Sequence, residues 1–313
     1  MNSPQRTHVS GVIGPIKCLL LRRRESEGAG GAGKAGKAGK VLLALSALLA
    51  STTLRAFLAP PASPAPPAFT IVSVPQEIEI GREEHAQIRK QMAELRDPRV
   101  SRYIERIGKR LAAAAPGAKY PYSFTVANYR EINAFSLPGG PVWINRGVLH
   151  AAGNESQVAG VLAHEIAHIA QRHAADQMTK AILAKWSLGM LGAMLGNAGG
   201  AGTAQVAGAV VADGVFLKFS RDDEEEADRV GLQIMTRAGW DARGMIELFE
   251  VLRREAKRDP SGVDVFLSSH PSPQNRIAQL QAATAHSHGG TRDTKEFRAV
   301  KAHVLQLPPP QKR

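Results

Sequence analysis

His164, Glu165 and His168 lie within one stretch, VLAHEIAHIAQRHAADQ (Val161 to Gln177), and no other feature of the chain constrains its fold as strongly. In an α-helix, residues four apart differ by about 40° in azimuth, so the two imidazoles project side by side and can grip one ion. Glu165 sits about 100° round from His164, too far for a good third ligand but near enough to reach a water on that ion. The spacing thus predicts a helix that carries part of a metal site. Val158, Leu162, Ile166 and Ile169 on its opposite side predict the face that packs on a core, leaving the histidines to line a cleft. Asn154 followed by Gln157 three residues later predicts a capping box at the start of that helix.

Composition narrows what can complete the site. The only cysteine is Cys18, which excludes a disulfide framework, a thiolate metal site and a cysteine nucleophile from everything after it. A third histidine is poorly placed, because the three-histidine extension of this motif needs Gly at position 171 and His at 174, where this chain has Gln171 and Ala174. His173 is one residue off and falls on the apolar face, so it reads as a structural histidine. A carboxylate is the remaining choice, and FSRDDEEEADRVGLQIM offers several. On a helical wheel Ala227, Val230, Gly231, Ile234 and Met235 form a buried stripe that includes Glu224 and Asp228, while Glu225, Glu226 and Arg229 fall off it. Two carboxylates one turn apart on a core-facing stripe are costly unless something positive binds them. One Zn2+ ion held by His164, His168 and Glu224 would do so, with Asp228 accepting the ring N–H of a ligand histidine.

The chain has 313 residues and a formal net charge of +12. The first 59 residues hold 9 Lys/Arg and 2 Asp/Glu, so the remainder carries 31 against 26, and the basic balance belongs partly to the leader. No later segment clusters Lys/Arg with aromatics, which argues against a nucleic-acid partner. Residues 1–59, a basic Gly/Ala-rich run followed by the apolar stretch Val41 to Ala50, have the order of a secretory signal, and a Pro/Ala-rich linker over 60–74 follows. Export to the periplasm or cell envelope is the expectation, with membrane association as the alternative to cleavage. A folded domain is expected over 75–285 and a short tail over 286–313, its end LPPPQKR loosely held.

Within the domain, EIGREEHAQIRKQMAEL and DPRVSRYIERIGKRLAAAA read as helices, the second starting at Asp97-Pro98 with Val100, Tyr103, Ile104, Ile107 and Leu111 at helical spacing. YPYSFTVANY alternates as a strand, and Pro138 to Pro141 reads as a turn into a second strand, Val142 to Asn145. The Gly/Ala-rich apolar region from Ala181 to Lys218 reads as a helical hairpin, with a membrane-surface element as its rival. Further helices are expected near Ser220, near Met245 and from Ser272-Pro273.

Four blocks together, H-E-x-x-H at 164 to 168, S-R-x-x-E-x-x-A-D at 220 to 228, NAFSLPGGPVWINRG upstream and SHPSPQNRI downstream, resemble the HtpX-like and BepA-like gluzincins, relatives of the CAAX-prenyl endoproteases. The resemblance covers roughly Pro75 to Leu280. It implies an α+β, mostly helical, zincin-like (minigluzincin) peptidase domain with a small β-sheet. It implies His164, His168 and Glu224 as zinc ligands, Glu165 as catalytic base and Asp228 as supporting carboxylate, matching the wheels. Two departures stand out: the transmembrane helices of HtpX-like members are not evident, and the helical repeats of BepA-like members would begin where this chain stops.

The expected activity is that of an exported zinc metalloendopeptidase. A zinc-bound water, its pKa lowered to about 7, would lose a proton to Glu165 and attack the scissile carbonyl. His270 and Arg276 in HPSPQNR are candidates for a donor or cation opposite the metal, Arg276 more as an organiser of the glutamate helix. An extended substrate is expected to pair with the edge of the strand after PGG, and Asn133 and Gly140 are candidates for substrate-contacting backbone. Quality control of unfolded or misassembled cell-envelope proteins is what the resemblance implies, with the cell-envelope membrane or outer-membrane assembly as a further expected association. A rival reading is a holding chaperone that uses the same cleft with zinc in a structural role, and Glu165 discriminates, since holding needs no carboxylate beside an open metal position.

Overall fold

Local signals start most of the helices where the sequence places them. The computed structural model of the protein describes residues 70–194, 219–270, 273–285 and 289–310. The leader over 1–59, most of the Pro/Ala-rich linker, and the turn and second arm of the expected hairpin lie outside the described residues. Helix α1 (Val74–Gln91) begins where the Ser73 backbone N–H donates to Gln76 Oε1 at 2.8 Å. Helix α2 (Pro98–Ala113) is capped by Asp97, whose side chain accepts from the backbone N–H groups of Arg99 and Val100. Its Val100, Tyr103, Ile104, Ile107 and Leu111 are all buried, as their spacing predicts.

Three strands follow: β1 (Ser123–Ala127), β2 (Ala134–Ser136) and β3 (Pro141–Asn145), in the order β1-β3-β2. β3 runs parallel to β1 and antiparallel to β2, and all five of its residues are buried. The β2–β3 turn needs Gly139, whose φ is 75° and whose added Cβ would stand 2.4 Å from Glu77 O of α1. Because β3 has a partner on each side, the expectation that substrate pairs with its edge is corrected: among the described residues, the free edge of this hairpin belongs to β2. Leu137 N–H donates to Pro141 O and Asn145 N–H to Asn133 O, each at 2.8 Å. Pairing with β3 alternates along an antiparallel strand, so the peptide groups of Ala134 and Ser136 point away from β3.

After the short helix α3 (Arg146–Ala151), helix α4 (Glu155–Ala170) carries the paired histidines. Asn154 caps it by accepting from Gln157 N–H, but the return bond of the expected box goes one residue further back, from Gly153 N–H to Gln157 Oε1 at 2.8 Å. All 16 residues of α4 are buried, which corrects the expectation of one packed face and one open face. The reason lies in the small residues Ala159, Gly160, Ala163 and Ala167, of which Ala163 lies against Gly231 of helix α6 (Arg221–Arg237) and Gly160 against Met245 of helix α7 (Arg243–Arg258). A Cβ added at Gly160 would stand 2.8 Å from Met245 Cα of α7. Gly160→Val is therefore expected to force these helices apart and cost about 1–3 kcal/mol, read as a lower urea midpoint with unchanged slope.

The corner after α4 is made by Arg172, the only non-glycine residue with positive φ (63°) among those described, and helix α5 (His173–Met194) leads away from it. α5 supplies the first arm of the expected hairpin, with Leu183 and Trp186 exposed. Among the described residues, no helix is long and apolar enough to cross a membrane. Ser220 opens α6, donating its N–H to Asp223 Oδ2 and accepting from Asp223 N–H.

Helices α8 (Asp264–Ser269) and α9 (Pro273–Thr284) follow α7. Helix α10 (Lys295–Gln306) lies in the segment read from the sequence as a tail, yet Phe297, Val300 and Val304 are buried. Its C-terminal carbonyls find a donor in Arg146, a guanidinium only 1% exposed, which donates to the carbonyls of Val304, Leu307 and Pro308. The result is an α+β domain, mostly helical, with one small mixed sheet.

Candidate metal centre

α4 presents His164, Glu165 and His168, and α6 crosses it with Glu224 and Asp228 one turn apart. Both acids are buried, whereas Glu225 and Arg229 are exposed and Glu226 half-buried, so the helical wheel placed each of them on its observed side. His164 Nε2 and His168 Nε2 are 3.0 Å apart, and each faces Glu224, at 3.5 Å from Oε2 and 3.4 Å from Oε1 respectively. A fourth donor joins them from the end of α8. His270 Nδ1 lies 2.8 Å from Glu224 Oε1, its ring 5.1 Å from that of His164. Ligand atoms of His164, His168, Glu224 and His270 all lie within 4.8 Å of one another, and all four residues are buried.

The surroundings hold this arrangement. Arg276 of α9 forks onto Asp228 with bonds of 2.6 and 2.7 Å, and its Nη1 is 2.5 Å from Glu224 Oε2. Asp228 Oδ1 in turn lies 3.1 Å from His164 Nδ1. Glu165 is oriented by one oxygen: Ser136 Oγ of β2 donates to Oε2 at 2.9 Å, while Oε1 has no hydrogen bond and faces His270 Nε2 at 3.5 Å. Phe219, just before α6, stacks on the His168 ring at 4.0 Å. Ser136 and Phe219 escaped the reading of the sequence, because neither has a local spacing relation to the residue it touches.

Burial opposes charge on His164, His168, Glu224 and Asp228, and their neighbours act with it or against it. Against burial, Asp228 and Glu224 push His164 up to about 9. His168 goes the other way, held well below its ordinary value by burial, which His164 and His173 reinforce against Glu224. Glu224, despite burial, is drawn far below the carboxylate range by His270, His164 and His168. Asp228 is lowered chiefly by Arg276 and His164. With protein groups alone, a proton on His164 helps Arg276 balance two buried carboxylates.

These residues fit a metal ion. Two imidazoles, a carboxylate and a third imidazole converge, and Glu224 Oε2 makes no well-formed hydrogen bond although buried. A divalent cation at this point would supply the charge that the His164 proton supplies otherwise. The remaining candidates lie elsewhere. Gly140 is buried in the β2–β3 turn, its carbonyl accepting from Ser123 N–H, with an added Cβ 2.9 Å from Pro121 O. Close approach there accounts for the glycine, and the structure does not bring it to the donor cluster. Asn133, next to β2, is buried with Oδ1 unpartnered.

A family model described as Peptidase family M48 matches residues 98–284. The chain is 35% identical over 248 residues to the Beta-barrel assembly-enhancing protease of Escherichia coli (strain K12), an alignment covering 77% of this chain and 50% of that protein. It is 33% identical over 231 residues to the Mitochondrial metalloendopeptidase OMA1 of Saccharomyces cerevisiae, covering 68% of this chain and 65% of that one. It is 27% identical over 179 residues to the Metalloprotease YcaL of Escherichia coli, covering 56% and 68%. The chain thus spans about half the length of the first of these relatives.

Proposed function

The chain belongs to peptidase family M48, and from that premise we propose that it is an exported zinc metalloendopeptidase acting on unfolded or misassembled proteins of the cell envelope. The observation that carries the reading is the convergence of His164, His168 and Glu224 beside a Glu165 carboxylate with one oriented and one free oxygen. Two nitrogens and a carboxylate suit zinc, which accepts this donor set in tetrahedral sites. When bound, the ion supplies an activated water and polarises the scissile carbonyl. The rest falls to the protein. Glu165 Oε1 is the proposed proton acceptor, and Ser136 keeps that carboxylate from turning away. Asp228 and Arg276 lock His164 and Glu224 to each other.

Substrate positioning is proposed for the outer edge of β2, where the peptide groups of Ala134 and Ser136 face away from β3. An extended chain added there would lie beside Glu165, because Ser136 touches both. Asn133, at the start of this edge with an unpartnered Oδ1, stays a proposed contact. Gly140, the other candidate contact, is proposed to shape the β2–β3 turn that presents this edge. The envelope substrates rest on the leader-like segment before the domain and on a relative whose name ties it to β-barrel assembly.

The test is metal analysis coupled to casein cleavage. The expected outcome is one zinc per chain, cleavage abolished by a chelator and restored by zinc; chelator-insensitive cleavage without bound zinc would overturn the proposal. His270 is assigned as a supplementary donor, since three residues suffice to hold a catalytic zinc. His270→Ala is expected to keep its zinc, whereas Glu224→Ala is expected to lose it on dialysis. Zinc loss from His270→Ala as complete as from Glu224→Ala would count against that ranking.

A further inference from the structure

The two histidines on α4 are placed alike: each turns Nε2 into the donor cluster and has a polar group close to Nδ1. Asp228 stands at the Nδ1 of His164, and His173 stands at the Nδ1 of His168, with a Nδ1 to Nδ1 distance of 2.8 Å. An imidazole that offers its Nε2 lone pair to a metal carries its proton on Nδ1, so His168 donates and His173 accepts. That assigns the His173 proton to Nε2, which is buried without a hydrogen bond and faces Glu226 Oε2 at 3.6 Å. The rings of His168 and His173 have their centres 4.9 Å apart and their planes at 75° to one another.

The backbone shows how His173 comes to be there. Helix α4 ends at Ala170, and α5 starts at His173 only because Arg172 takes a left-handed conformation (φ 63°) that side chains other than glycine rarely adopt. Arg172 is held in it from α1 and the chain before it: Nε donates to Glu77 Oε1 at 2.7 Å and Nη2 to Val72 O at 2.5 Å. Glu77 is itself buried and accepts from Tyr120 at its other oxygen, at 3.1 Å. An unusual corner, braced by an ion pair between half-buried Arg172 and buried Glu77, thus delivers one imidazole to the rear of another. We infer that His173 is a positioning residue of the metal centre, accepting the Nδ1 proton of His168 so that Nε2 stays aimed at the ion, and that Arg172 and Glu77 set its position. This rests on the metal-centre reading above, and it replaces the purely structural role suggested by the sequence.

The experiment is zinc affinity, measured by competition with a chromophoric chelator on the full chain and two variants, with thermal unfolding as the control for folding. His173→Ala removes the acceptor and is expected to weaken zinc about 10- to 100-fold. His173→Gln keeps an acceptor oxygen within reach and is expected to recover most of that loss. Equal affinity in the parent and His173→Ala would overturn the inference, as would a His173→Gln variant no better than Ala, since filled space alone would then explain the site. A parent that binds no zinc would overturn the metal-centre reading and this inference with it. A measurement on the unaltered protein stands apart from any folding defect: in zinc-loaded, nitrogen-15 histidine-labelled chain, a scalar coupling between His168 Nδ1 and His173 Nδ1 is expected, and its absence would count against the bond.

Discussion

Glu165→Gln is expected to keep its zinc and to lose peptide-bond cleavage by about 10²- to 10⁴-fold, the usual contribution of a positioned general base. The substitution is nearly isosteric, and the amide oxygen can still accept from Ser136, so orientation by β2 survives. What disappears is the basic oxygen, Oε1, which has no hydrogen-bond partner and lies beside the donor cluster. Zinc content and casein turnover measured on the same preparations check the result. Turnover within threefold of the parent would remove Glu165 from the base role. The same variant separates the protease from the holding module, because capture of an unfolded chain requires no base. If the variant and the parent suppress aggregation of a denatured protein equally and neither cleaves it, the holding reading prevails.

Arg276→Met is expected to destabilise the domain by about 3–5 kcal/mol, the largest effect on folding of any single change considered. The residue is 3% exposed, and its guanidinium forks onto Asp228, reaches Glu224, and lies 4.6 Å over the ring of Phe249. Without it two buried carboxylates lose their common cation, and His164 alone cannot neutralise both. Asp228 is held below its ordinary value, so its stabilising contribution is present above an unfolded pKa of about 4 and is lost as pH falls through the lower folded value. Removing Arg276 raises that folded value, so unfolding in acid is expected to begin at higher pH than in the parent. Urea denaturation at neutral pH, with and without zinc, measures the loss; a difference under about 1 kcal/mol in the zinc-free protein would show that the pair is not essential to the fold. Arg276→Lys keeps the charge but not the fork, and is expected to recover only part of the stability.

Relations within a turn or two of helix were legible in the residues themselves. His164 beside His168, Glu224 beside Asp228, the exposure of Glu225 and Arg229, the cap at Asp97 and the stripe from Val100 to Leu111 all follow from a helical period acting over fewer than a dozen positions. The meeting of α4 with α6 was legible for a related reason, since few other partners could balance two acids on a buried stripe, whereas the α+β class was implied by the family resemblance. Tertiary packing decided the rest. The period said that α4 has an apolar side, but its complete burial depends on how closely α6 and α7 approach the alanines and Gly160. The Pro-Gly-Gly-Pro turn marked the strand from Val142 to Asn145, yet only pairing shows it to be central, with β2 at the edge of the described sheet. Ser136 on Glu165, Phe219 on His168 and Arg172 on Glu77 join residues far apart in the chain, and spacing carries no information about such contacts. His173 shows the division most clearly: a straight helical wheel puts it on the apolar side, and the left-handed turn at Arg172 swings it round to His168 instead.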